Sequence, residues 1–432
     1  MSHLSRRRFL QSAAVAAAAP WAGRLRGDTP PSERLRVAMI GVNNQGAHDL
    51  NAIAKEGGAD IAVLCDVDEK LAAAAHQQFP KAEVVTDFRR IMDRKDIDAV
   101  AVATPDHTHV IATLLALQAG KHVFCEKPLT HNVFEARKVA AAAKKYNRVT
   151  QMGTQIHAGD NYRRVVELLR AGAIGPVREV YLWVGTNWSG EAKPKPGETP
   201  PAGLHFDLWL GPAAERPYSA AYLPRTWRGW WDFGGGTLAD MGCHYYDLAQ
   251  WALGLTAPAR VTAEGPPVDP QCGPSWLTVR YEYPATTARP ALNVIWNSSR
   301  KPKEHAELLA KQKWGDGALF VGEKGMLLAS YTKHKLLPEV QYAGFTPPSP
   351  TIPKSVGHYK EWVEACKGNG TTTCPFSYSG PLTETVLLGN VAYRAGVPIE
   401  WDAELGIAKS PAADRFLRRE YRGEWGKVVE GA

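Results

Sequence analysis

From Leu35 the chain alternates short apolar, β-prone runs with helical stretches, and that alternation limits what it can fold into. The runs are Leu35–Val42, Ile61–Val67, Ala99–Thr104, His122–Cys125 and Val149–Met152, with helical stretches such as Thr108–Ala119 and Val133–Tyr146 between them. Their hydrophobicity is continuous rather than alternating. Such strands are buried on both faces, which implies a mostly parallel sheet covered by helices. The expectation is a doubly wound α/β domain over residues 34–155, with its ligand crevice at the carboxyl ends of the strands.

Beyond residue 155 the pattern changes. A helix at Asn161–Ala173 and a strand at Val177–Val184 precede a Pro/Gly-rich loop, Lys193–Gly203, and a helix around Asp240. Thr278–Tyr283 then alternates polar and apolar residues cleanly, and Pro290–Ser298 and Leu319–Ser330 also read as strands. Alternation marks a sheet with one packed face. Residues 156–400 are therefore expected to form an α+β domain on a large, mainly antiparallel open sheet, with residues 401–432 wrapping back as helix and coil. Two domains suit a chain of 432 residues.

Residues 1–30 read as an address and linker. Ser5-Arg6-Arg7-Arg8-Phe9-Leu10 resembles a twin-arginine export signal and precedes the Ala-rich stretch Ala13–Ala19, too short to span a membrane. The expectation is a protein exported folded to the periplasm by the twin-arginine machinery, with no span in its mature form. Five of the net +7 charges lie in residues 1–26, which hold no acid, so the remainder is close to neutral. Such a balance gives no electrostatic reason to expect a nucleic-acid partner. Six cysteines form no CxxC pair and no zinc pattern, so no metal is expected. Cys366 and Cys374 stay open as a disulfide.

Gly41-Val42-Asn43-Asn44-Gln45-Gly46 follows the first strand and opens a helix, in the frame of a Gly-x-Gly-x-x-Gly dinucleotide turn with Asn43 at the second glycine. Gly41 permits the tight turn, and the helix N-terminus holds the pyrophosphate on backbone N–H groups. Asp66 lies twenty residues after Gly46, where an acid bonds the ribose hydroxyls and repels a 2′-phosphate. NAD is thereby favoured over NADP.

Three further segments are Ala103-Thr104-Pro105-Asp106-His107-Thr108-His109, Cys125-Glu126-Lys127-Pro128-Leu129, and Gly234 through His244. With the nucleotide frame, His205–Pro212 and Glu400-Trp401-Asp402, they resemble the glucose-fructose oxidoreductase / inositol dehydrogenase / rhizopine-catabolism (Gfo/Idh/MocA) family, in its exported branch, from about Arg36 to Trp425. The resemblance implies a Rossmann domain that binds the nicotinamide cofactor through Thr104, Pro105, His107, His109, Glu126 and Lys127. It also implies a second domain whose sheet serves a homo-oligomer, dimer or tetramer, and a proton-handling pair at Asp240 and His244.

The residues themselves support that chemistry. Oxidising a carbinol requires loss of the hydroxyl proton, and a lysine beside the cationic oxidised nicotinamide is expected to have a lowered pKa. Lys127 is assigned that role. Asp240 and His244 are four apart, hence neighbours on a helix, and the preceding glycines are expected to let the helix approach cofactor or substrate. Gln155 and His157 are candidate hydroxyl contacts. Among Trp209, Trp227, Trp230 and Trp231, the last two are assigned to stacking on a sugar ring. The expected function is NAD-dependent hydride transfer at a carbohydrate or polyol carbon, with the cofactor tightly retained because free NAD is scarce outside the inner membrane. Redox-neutral glycoside cleavage or lyase chemistry on the same fold is one alternative, and a redox-silent sugar-binding protein another. The presence of Lys127, Asp240 and His244 together argues against the last.

Overall fold

The computed structural model describes residues 34–190, 194–195 and 197–432; the export signal expected at the N-terminus lies outside them. Six parallel strands form the first sheet: β1 (Arg36–Ile40), β2 (Asp60–Cys65), β3 (Glu83–Val85), β4 (Ala99–Val102), β5 (His122–Cys125) and β6 (Thr150–Met152). Their order is β3-β2-β1-β4-β5-β6. The winding reverses between β1 and β4, and a ligand crevice opens where connections leave such a sheet in opposite directions. Every side chain of β4 is fully buried, as its unbroken apolar run requires. β3 escapes a reading based on apolar runs because it is a short edge strand with only Val85 buried.

The second sheet has eight strands, β7 (Val177–Val184), β8 (Arg260–Glu264), β9 (Leu277–Tyr283), β10 (Leu292–Ser298), β11 (Gly317–Gly322), β12 (Met326–Ala329), β13 (His334–Leu337) and β14 (Ile399–Glu400). Their order is β13-β12-β11-β7-β10-β9-β8-β14, antiparallel throughout except for the β7–β10 pair. The single strand expected at Leu319–Ser330 is in fact the β11–β12 hairpin, folded at Glu323-Lys324-Gly325, where the Gly322 N–H donates to the Gly325 carbonyl at 2.9 Å. β9 turns Leu277, Val279, Tyr281 and Tyr283 inward and its polar residues outward, as its alternation requires.

Two long helices cover the inner face. Phe376–Ala395 packs on Gly236–Leu253 of its own domain and on Val133–Tyr146 of the first. Small residues allow both crossings. A Cβ at Gly242 would lie 2.6 Å from Val386, and one at Gly380 would lie 2.8 Å from the Ala140 methyl. On the outer face Leu309 and Trp314 cover Tyr181, Trp183, Ile295 and Leu319. From the tail, Arg419 reaches Glu135 at 2.9 Å and the His107 carbonyl at 2.6 Å. Cys366 and Cys374 are both free thiols. Among the described residues no helix is long and apolar enough to cross a membrane.

Candidate active site

A cleft of about 590 Å³ lies at the carboxyl ends of β1, β4 and β5, closed on its far side by the helix Gly236–Leu253. Gly41, Asn43, Asn44, Gln45, Asp66, Thr104, Pro105, Glu126, Lys127, Gln155, Asp240 and His244 all line it. Residues separated by two hundred positions thus meet in one cavity of the size used for small-molecule ligands.

The nucleotide end is built on a turn that tolerates only glycine at its start. Gly41 has φ +85°, and a Cβ there would stand 2.6 Å from the Ala103 carbonyl oxygen. Gly46 does not reach the cleft. It lies beneath the turn, where a Cβ would fall 2.3 Å from the Gly41 oxygen. Asn44, at φ 50°, precedes the helix Gln45–Lys55 without capping it through its side chain, which leaves the helix N-terminus to an anion. Asp66 faces the cleft with its carboxylate oriented by the main-chain N–H groups of Val42 and Asp68, at 3.1 and 3.0 Å. A glycine turn, an uncapped helix start and an oriented acid together fit a dinucleotide, so Asn43 in place of a glycine does not spoil the frame.

At the other end Lys127 donates from Nζ to Asp240 Oδ1 and to the Asp240 carbonyl, both at 2.7 Å. Arg228 Nε reaches the same carboxylate oxygen at 3.1 Å, and Trp188 Nε1 reaches Oδ2 at 2.6 Å. Burial works against charge on Asp240, but Lys127 and Arg228 outweigh it and hold the carboxyl well below the usual range. Burial likewise opposes charge on Lys127, and Asp240, then Glu126, more than offset it, so its pKa is raised. The lowering expected beside oxidised nicotinamide is therefore not a property of the protein's own groups: a carboxylate holds the ammonium charged.

His244 is the opposite case. Burial, and then the Lys127 charge, push it down to about 3, so its imidazole is neutral. Its Nδ1 has no hydrogen-bond partner among the described residues. The partners found for Asp240 are Lys127, Arg228 and Trp188 rather than His244, so the two share a helix face without forming a dyad. Two more carboxyls line the cleft. Burial pushes Asp106 up to about 8, so it is largely uncharged near pH 7, and pushes Glu126 well above the usual range. Glu126 accepts from Gln155 Nε2 at 2.6 Å.

Several expected contacts are elsewhere. His107 is buried, 2.9 Å from the Trp209 carbonyl, and the His109 ring lies between the Pro128 and Thr104 carbonyls, 2.8 Å from each. Both histidines brace the strand ends rather than face the cavity. His157 is buried against Asp247 at 3.0 Å and stacked on Trp251. The two share a neighbourhood with Cys374 in which the Tyr378 hydroxyl also donates to Asp247 at 2.6 Å. Trp230 belongs to an aromatic cluster with Tyr222 and Phe233, and Trp231 lies under Arg394 beside a different cavity. Of the four tryptophans, Trp209 and Trp227 are the ones that line the cleft. The glycines before Asp240 make room for protein rather than ligand, Gly234 against the Arg228 main chain and Gly235 against Asn390. Thr237 accepts from the Trp188 N–H at 2.8 Å and caps nothing. Arg225, Arg228, Trp188 and Asp106 escaped the sequence reading. Asp106 stands inside a quoted motif, whereas the others sit in loops with no periodicity to single them out.

Comparison with known proteins matches this geometry. Residues 35–154 match the oxidoreductase family with an NAD-binding Rossmann fold, and residues 177–427 match that family's C-terminal alpha/beta domain. A levoglucosan dehydrogenase of Pseudarthrobacter phenanthrenivorans is 30% identical over 202 residues, 44% of this chain and 42% of that protein. Glycosyl hydrolase family 109 protein 1 of Shewanella sp. (strain MR-4) is 27% identical over 155 residues, 34% of each. The chain thus spans less than half the length of these curated relatives. Among solved structures, GenD2 from gentamicin A biosynthesis, in complex with NAD, shares the fold with a TM-score of 0.60 at 20% identity, over 88% of this chain and 100% of that one. The two family matches together cover most of the sequence: the chain belongs to the Gfo/Idh/MocA oxidoreductase family and binds NAD in its Rossmann domain.

Proposed function

We propose that the protein is an NAD-dependent oxidoreductase acting on a CH–OH carbon of a sugar or polyol. The observation that carries this reading is one cleft holding a nucleotide turn at one end and, at the other, a neutral imidazole beside a charged lysine. NAD, when bound, supplies the hydride acceptor. Gly41, the start of the helix Gln45–Lys55 and Asp66 hold it. His244, neutral near pH 7, accepts the hydroxyl proton. Lys127, kept charged by Asp240, hydrogen-bonds the substrate oxygen and steadies negative charge as it develops. Trp209 and Trp227, packed in the aromatic cluster at the wall of the cleft, help to exclude water. Assigning the base to His244 replaces the expectation that Lys127 moves the proton.

The test is reduction of NAD across a panel of neutral and acidic sugars and polyols, with His244→Ala as the control. Oxidation of one class that is lost in the control supports the reading. Cleavage of a glycoside with no net NADH would favour redox-neutral chemistry, which the glycosyl hydrolase relative brings into view. We also propose periplasmic export with NAD retained, which would leave cofactor on the protein through purification, and a homo-oligomer.

A further inference from the structure

The cleft carries more positive charge than hydride transfer requires. Arg225 and Arg228 both line it, in the segment that leads into the glycines before Asp240. Their guanidinium carbons stand 5.6 and 5.4 Å from the centre of the Trp188 ring, and the indole N–H of Trp188 holds Asp240. Arg228 spends only its Nε, on Asp240. Among the described residues, no acceptor is found for its two Nη groups or for any donor of Arg225. A guanidinium fork with free N–H groups matches the planar, paired oxygens of a carboxylate or phosphate.

Nearby acids do not cancel this charge. Asp240 is already engaged by Lys127 and Arg228. Asp106 is largely uncharged near pH 7, its carboxyl pushed up to about 8 by burial, and burial raises Glu126 as well. Asp66 is committed to the turn at the nucleotide end, through Val42 and Asp68. Lys127, Arg225 and Arg228 therefore line the cleft together, and Asp240 is the acid paired directly with two of them. A cleft with that imbalance and low-dielectric walls concentrates anions. Cofactor phosphates do not explain it. They have the glycine turn and the uncapped helix start, whereas both arginines are grouped through Trp188 with the Lys127–Asp240 pair.

We propose that the substrate is an anionic sugar, bearing a carboxylate or a phosphate ester, and that Arg225 and Arg228 grip the anionic group while Lys127 and His244 address the hydroxyl being oxidised. This rests on the oxidoreductase reading for its chemistry and on the two arginines for its specificity. Arg225 is the specificity residue to vary, since among the described residues its guanidinium lies over the Trp188 ring but has no hydrogen-bond or ion-pair partner.

The test is calorimetric titration of the full chain, saturated with NADH so that no turnover occurs, with D-glucuronate, D-glucose 6-phosphate and D-glucose in low-salt buffer. At least one acidic sugar is expected to bind about tenfold or more tighter than glucose, a difference of about 1.4 kcal/mol, and the arm that wins tells carboxylate from phosphate. In Arg225→Gln, checked for an unchanged melting temperature, that preference is expected to shrink to about twofold or less. Glucose binding as tightly as either acid, no binding of either acid at about ten millimolar, a preference that survives Arg225→Gln, or an effect of that variant confined to NADH affinity would each overturn the proposal. Failure of the underlying reading looks different. Oxidation of a neutral sugar with NAD keeps the oxidoreductase and removes the anion site. Tight acid binding without NAD reduction by any sugar of the panel keeps the site and removes the oxidoreductase.

Discussion

Lys127, at the end of β5, donates to both the carboxylate and the carbonyl of Asp240, in the helix Gly236–Leu253, at 2.7 Å each. One side chain of the first domain thereby satisfies a buried charge and a main-chain oxygen of the second, and the cleft closes around that join.

Replacing Lys127 tests chemistry and the join together. Lys127→Met is expected to lower kcat by about 10²–10⁴-fold, the usual range for a group that stabilises charge at the reacting oxygen. It also strands Asp240 with Arg228 and Trp188, so the melting temperature is expected to fall. Lys127→Met,Asp240→Asn should recover stability without recovering turnover. Turnover by Lys127→Met near the parent rate would remove the residue from the mechanism.

Asp66 is expected to decide between the two nicotinamide cofactors. NAD is expected to bind at least about tenfold tighter than NADP, because an oriented carboxylate repels a 2′-phosphate. Asp66→Ser should narrow the gap in favour of NADP. Equal affinities in the parent protein, read by calorimetry, would rule out this role.

Asp106 makes stability depend on pH with a definite sign. Its carboxyl is raised to about 8 in the folded protein from 3.8, chiefly by burial. The folded state therefore holds a proton that the unfolded state has released, and the stability tied to that proton is lost as pH rises from about 4 towards 8. Asp106→Asn keeps the neutral shape and does not titrate. Its melting temperature relative to the parent is expected to climb from pH 5 to pH 8 and then level off; a constant difference would show that Asp106 is ionised throughout.

Gly41→Ala is expected to destabilise the protein by about 2 kcal/mol or more and to weaken NAD binding with it, since φ > 0 and a blocked Cβ add. A parent-like melting temperature would mean that the turn yields. By contrast His157→Gln should lower stability through the loss of its Asp247 contact and leave the KM of the substrate unmoved, because it lies away from the cleft.

The legible parts of this protein were those in which chemistry and periodicity coincide. β4 and β5 announce themselves by unbroken apolar runs, and Lys127, Asp240 and His244 by position in short motifs. Trp230 and Trp231 were assigned to the substrate from their nearness to the glycines, but adjacency along a loop does not say which wall a ring enters. His107 and His109 belong to a cofactor-binding motif yet serve the backbone, His107 at the Trp209 carbonyl and His109 between those of Thr104 and Pro128. Arg225 and Trp188 escaped because a loop arginine and a loop tryptophan look like surface and core residues until the second domain brings them to Asp240.

The helix Phe376–Ala395, fitted through small residues against a helix of each domain, has a kinetic meaning. An enzyme whose halves hinge apart admits its ligands by widening the gap between them. Here one helix packs on both halves away from the cleft, so hinging them apart would cost that packing. Entry to the cleft would then depend on the side chains that line it, Arg225 and Leu223 among them, more than on any movement of one sheet against the other.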